Sequence, residues 1–197
     1  MNEELEMIRF QIAAHDMNKS FRDIGYVPVF VADERARIAV IGHAPGLMAQ
    51  TRRLAWGDLS GERLKYWMGV SEETFRDPSK IALIPMDFYY QGKGKTGDLP
   101  PRKGFAAYWH PKLLAQMPRV ELYILTGHFA VSHYVDMKQN LTETVRNFDL
   151  YLPTYFPIVH PSPINNRWLA KNRWFTDHVV PALQARVSEI IGDSLPH

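Results

Sequence analysis

The chain has 197 residues, 46% of them hydrophobic and 22% charged, with a formal net charge of +2, which marks an ordinary folded protein and excludes disordered and low-complexity classes. It contains no cysteine, so disulfides, thiolate metal sites, iron–sulfur clusters and cysteine nucleophiles are excluded together. No apolar run reaches the roughly 20 residues needed to cross a bilayer, and the opening Met-Asn-Glu-Glu-Leu-Glu lacks the basic segment of a signal peptide, so a cytoplasmic location without membrane contact is expected.

Residues 3–20 predict an amphipathic helix with Leu5, Ile8, Ile12 and Met17 inward, and residues 21–34 an extended, turn-rich segment broken by Gly25 and Pro28. Residues 38–41 (Ile-Ala-Val-Ile) read as a central strand ending at Gly42-His43-Ala44-Pro45-Gly46, before a helix over 47–54. A turn at 56–61 precedes a helix over 62–68, and residues 81–84 (Ile-Ala-Leu-Ile) form the second strand, ending at Pro85-Met86-Asp87-Phe88. Residues 91–104 hold four glycines, two prolines and the cations Lys93, Lys95, Arg102 and Lys103, the pattern of a long, mobile, cationic loop. A helix over 105–116 containing Pro111, a strand over 120–125, a helix to about 139, a strand over 156–159 and a helix over 166–190 complete the chain. Strand–loop–helix recurs four times, which predicts one domain over 1–197: a three-layer α/β/α fold around a four-stranded parallel sheet.

In such sheets ligands bind outside the carboxyl ends of the strands. His160-Pro161-Ser162-Pro163 sits where the last strand hands over to a helix, and its two prolines stiffen the turn around the histidine; either Asn165 or Asn166 can cap that helix. Gly42-x-x-Pro45-Gly46 is a second loop of this kind, its helix start suited to an anion. It is neither a Walker loop nor a Gly-x-Gly-x-x-Gly fingerprint, and His128 and His133 stand five apart, off the spacing of a zinc pair. No metal or cofactor is expected.

Together the two loops resemble the motifs of the uracil-DNA glycosylase superfamily, over roughly residues 36–185. Trp56-Gly-Asp-Leu-Ser-Gly61 is similar to the stretch after the first motif in its iron–sulfur members, where an aromatic stacks on the flipped base. The resemblance implies a uracil-DNA glycosylase-like fold acting as a monomer on single- or double-stranded DNA, hydrolysing the N-glycosidic bond of uracil or another damaged base after swinging it from the stack. It implies catalytic roles for His43, Asp87 and His160, with His160 as a neutral donor to the leaving base. Gly42, Ala44, Trp56 and Phe88 would form the base pocket. Pro45, Gly46, Ser162, Pro163, Ile164 as a wedge, Asn165, Lys93, Lys95 and Arg167 would meet DNA, with the Ser162 and Gly46 amides on phosphates.

The departures matter as much. His43 stands where related enzymes carry an acid or amide, and Pro85 stands near the place of a uracil-reading asparagine. Asp87 is then the nearest polar group, either taking over water activation or reading a donor-rich base edge. Without cysteines the chain cannot hold the cluster of the iron–sulfur members. Two alternatives stay open: a catalytically silent nucleobase- or DNA-binding homologue, and an N-glycosidic hydrolase of free nucleosides or nucleotides.

Overall fold

The computed structural model describes residues 2–192. Among the described residues four strands, β1 (Ile38–Gly42), β2 (Ile81–Pro85), β3 (Leu122–Thr126) and β4 (Tyr155–Ile158), form an all-parallel sheet in the order β2-β1-β3-β4. Val40 pairs with Leu83 on one side and Ile124 on the other, and Ile124 pairs with Phe156. Pro157 is tolerated because β4 is an edge strand, where a missing N–H need not break a ladder on both sides.

Ten α-helices among the same residues accompany the sheet: α1 (Glu3–Ala14), α2 (Lys19–Asp23), α3 (Leu47–Arg52), α4 (Leu59–Met68), α5 (Glu72–Arg76), α6 (Phe105–Leu114), α7 (Gly127–Tyr134), α8 (Leu141–Arg146), α9 (Asn166–Lys171) and α10 (Val180–Ile191). Ile38 and Val40 join Leu64, Trp67 and Phe75 of α4 and α5 and Leu183 of α10 in one core. Ala39 and Ile41 join Ile8 of α1, Trp109 of α6 and Val131 of α7 in the other. Covered on both faces, the strands have no exposed side on which polar residues could alternate, which is why they read as unbroken apolar runs.

Several helices differ from expectation. The first helix stops at Ala14 because His15 turns extended and buried Asn18 donates to the Ile12 carbonyl (2.7 Å), closing the helix end before α2. The last helix is divided: Asn172 donates to the Trp168 carbonyl (2.8 Å), and a π turn at Phe175–Val179 leads into α10. That wider turn keeps Phe175 and Val179 buried in line with Leu183. Helices α5 and α8 were not anticipated; their signals were the caps, since Ser71 accepts from the Thr74 N–H and Asn140 from the Glu143 N–H, each at 3.1 Å.

His110 ties α6 to the end of β2. Its Nε2 donates to the Pro85 carbonyl (3.0 Å), so Nδ1 accepts from the Tyr134 hydroxyl (2.6 Å), and burial pushes its pKa down from 6.5 to about 4. The unfolded chain therefore binds more protons than the folded one between those values. Stability is full above the upper value and falls as pH drops through the window, by on the order of 3 kcal/mol from this group. Urea midpoints measured across that range should show a shallower acid loss in His110→Gln than in the parent.

Candidate active site

The order β2-β1-β3-β4 places the topological switch between β1 and β3, so the crevice opens at their carboxyl ends. The Met86 N–H donates to the carbonyls of Gly42 (2.9 Å) and His43 (2.7 Å), pinning the loop after β1 against the end of β2. In the loop after β4, the Ser162 N–H donates to Nδ1 of His160 (3.2 Å) and the Asn165 side-chain amide donates to the His160 carbonyl (2.7 Å). Arg63 reaches from α4 to the Ser162 carbonyl at 3.3 Å.

Trp56 approaches from a third direction, in a strained state. Its φ of 55° lies in the left-handed region that bulky side chains avoid. Arg76 holds it there by donating to the carbonyls of Ala55 (2.5 Å) and Trp56 (3.2 Å). Two glycines admit it. A Cβ on Gly61 would stand 1.9 Å from the Trp56 carbonyl oxygen, and one on Gly42 would stand 2.7 Å from its ring.

These loops enclose a cavity of about 310 Å³ lined by His43, Ala44, Trp56, Asp58, Asp98 and His160 among others. The size suits one small ring system, at the lower end of ligand sites. The Trp56 and His160 rings stack at 5.4 Å and 27°, while His43 stands perpendicular to His160 at 6.3 Å and edge-on to Phe129 at 5.3 Å. With Nδ1 of His160 accepting from a backbone amide, the neutral ring carries its proton on Nε2, which has no hydrogen-bond partner among the described residues. Burial, and next the neighbouring His43, push the His160 pKa down to about 4. Burial also lowers that of His43, opposed chiefly by the Asp98 carboxylate. At neutral pH the cavity thus presents two uncharged imidazoles and an aromatic face.

The profile of the uracil DNA glycosylase superfamily matches residues 28–184. The chain belongs to that superfamily. Its members are in general glycosylases that hydrolyse N-glycosidic bonds and act on DNA, which gives this glycosylase-like chain its coarse chemical class. Among the described residues no helix is long and apolar enough to cross a membrane, and no cluster of three or more metal-ligating side chains exists.

Within this glycosylase fold the cavity gathers Gly42, His43, Ala44, Pro45, Gly46, Trp56, His160, Ser162 and Ile164 of the expected site. Ile164 is 71% exposed. Other expectations are corrected. Asp87 is fully buried outside the cavity lining, its two oxygens taken by Arg102 (2.7 and 2.9 Å) and by the backbone N–H groups of Arg102 and Tyr89. Both of its oxygens are thus engaged, and Arg102 is committed to this ion pair. Phe88 is buried in the core against Phe30 and Phe105 and lines no part of the cavity. The Ser162 N–H, expected on a phosphate, is spent on His160, and the Asn165 side chain supports the same residue.

The glycine-rich loop folds as a hairpin. The Gly94 N–H donates to the Gly97 carbonyl (2.7 Å), the Leu99 N–H donates to the Gly92 carbonyl (2.9 Å), and Lys93 bridges Asp98 through the backbone. Lys93, Lys95 and Arg167 are exposed. Four site residues escaped the sequence reading: Asp58, which also caps α4 by accepting from the Gly61 N–H (3.1 Å), Asp98, Phe129 and Arg76. For Asp98 the available signal was the pair Gly94 and Gly97 bracketing a two-residue turn.

Proposed function

We propose that the chain is a DNA base-excision glycosylase that binds one flipped, damaged base in this cavity and hydrolyses its N-glycosidic bond, with uracil the first candidate. The observation that carries the reading is His160, an imidazole kept neutral by burial, with its proton directed to Nε2 by the Ser162 amide and its ring stacked on Trp56. As the bond to C1′ breaks, the base takes the electron pair, and a neutral donor at its carbonyl stabilises the anion where it forms. Trp56 supplies the stacking face, Ile164 the wedge that fills the vacated stack, and His43 a neutral acceptor for a proton from water. A neutral imidazole cannot stabilise a cationic sugar as a carboxylate does; the carboxylates that line the cavity are Asp58 and Asp98.

The test is incubation with single- and double-stranded oligonucleotides carrying uracil, hypoxanthine, xanthine or a mismatch, followed by alkaline cleavage. A cut at one modified base supports the reading and names the substrate. Intact strands that nonetheless bind would favour the silent homologue. A free-nucleoside hydrolase has one observation in its favour: a Cβ on Gly46 would stand 3.5 Å from an Asp98 oxygen and 3.9 Å from an Asp58 oxygen, so the helix start expected to receive a phosphate faces two carboxylates. Lys93→Ala/Lys95→Ala separates these cases. For a DNA substrate it should weaken binding and reduce the slope of log affinity against log salt by about two, whereas a nucleoside should be indifferent.

A further inference from the structure

We propose, resting on the glycosylase reading above, that Asp98 is the carboxylate partner of His43, and that this histidine–carboxylate pair, assembled from two loops, activates the attacking water. Residues 42–46 contain no acid, and Asp87 is consumed by Arg102. The cavity lining offers two carboxylates. Asp58 gives one oxygen to the start of α4, whereas the Asp98 carboxylate has no hydrogen-bond or ion-pair partner among the described residues. The hairpin fixes the Asp98 backbone on both sides through the Gly94–Gly97 and Leu99–Gly92 hydrogen bonds. It brings the side chain over Gly46, three residues beyond His43 on the same loop, within 3.5 Å of where a Cβ on Gly46 would be. The sequence separation of 55 positions between His43 and Asp98 explains why no local motif announced the pair.

The groups around His43 are few. His160 faces it from the end of β4, Phe129 packs on it from α7 with exposed His128 beside it, Asp58 lines the cavity ahead of α4, and Asp87 acts from the end of β2 already neutralised by Arg102. Asp98 is the leading charge that favours protonation of His43 against burial.

The step balances without a further reagent. A neutral ring nitrogen of His43 takes a proton from water as the water oxygen bonds to C1′. The C1′–N bond breaks and its electron pair leaves on the base, held by the Nε2–H of His160. The imidazolium, stabilised meanwhile by Asp98, returns its proton to the base. Asp98 is thus a positioning residue that acts through His43.

Asp98→Asn in the full chain, on an exposed hairpin position, should fold as the parent does, which thermal unfolding checks. Single-turnover base release should fall by about 10- to 100-fold. The acid limb of its pH profile should move down, because loss of the carboxylate makes His43 less basic. The His43 ring titration, followed by NMR, should fall by about half a pH unit or more, and Asp98→Glu should restore part of both effects. An unchanged His43 titration in Asp98→Asn overturns the proposal, as does a rate loss without movement of the acid limb. The NMR reading needs no substrate. A parent protein that releases no base from any oligonucleotide therefore defeats the glycosylase reading while leaving the His43–Asp98 pairing separately decided.

Discussion

His160→Ala should reduce base release by about 100- to 1,000-fold while leaving the chain folded and able to bind DNA. That magnitude is what one pre-oriented donor to a developing anion supplies in a site shielded from water. The preparation of this donor is visible in three contacts. The Ser162 amide fixes the tautomer, the Asn165 side chain fixes the backbone, and Trp56 fixes the ring plane. Each operates before substrate arrives, so the donor needs no reorganisation when charge develops. Removing the imidazole leaves the Ser162 N–H without its acceptor at a half-buried position, a cost of about 1 kcal/mol, small beside the kinetic effect. Single-turnover excision together with affinity for an uncleavable analogue separates the two: the rate should collapse and the affinity change little. Equal losses in both would make His160 a binding residue. Because its pKa lies near 4, titration of His160 should leave the rate flat from about pH 6 upward.

Arg102→Met should destabilise the chain by about 3 to 5 kcal/mol, since it leaves the fully buried Asp87 carboxylate without a counter-charge. The guanidinium does more than neutralise. It grips both carboxylate oxygens, donates to the Met17 carbonyl at 2.8 Å, and lies over the rings of Phe105 (4.4 Å) and Phe21 (4.8 Å). One side chain thereby joins the end of β2, the turn after α1 and the root of the hairpin that carries Asp98. Denaturant midpoints should show the loss, and Asp87→Asn/Arg102→Met should recover part of it by removing the stranded charge. The same geometry predicts that Asp87→Asn lowers stability far more than it lowers the rate at saturating substrate. A water-activating Asp87 would give the reverse, with the rate lost and the fold intact.

The layered architecture was legible because its cause is local and repeated. Runs such as Ile-Ala-Val-Ile and Ile-Ala-Leu-Ile are apolar at every position, which only a strand covered on both faces requires, and a helix pattern comes after each. The loops at 42–46 and 160–163 were legible for a related reason. Proline and glycine dictate backbone shape from their own chemistry, so the ends of β1 and β4 announce themselves. Helix breaks were less visible, since they depend on which side chain wins a carbonyl: Asn18 reaches Ile12 and Asn172 reaches Trp168, contacts that no periodicity reports.

Charged residues divided differently. From composition alone Asp87 and Asp98 are alike, each an aspartate in a loop after β2, and the sequence reading placed chemistry on the first. Tertiary structure separates them: Arg102 folds back over Asp87 and takes both of its oxygens, while the hairpin turned by Gly94 and Gly97 lays Asp98 at the cavity. Burial likewise makes both His43 and His160 neutral, and the strained backbone of Trp56 sets which face its ring presents. Local amino-acid pattern accounts for the sheet, the two motif loops and the histidines they carry, because each arises from the properties of neighbouring residues. Which acid is free to act is a property of the fold, because it depends on a partner fifteen residues away for Asp87 and on the pinning of a hairpin for Asp98.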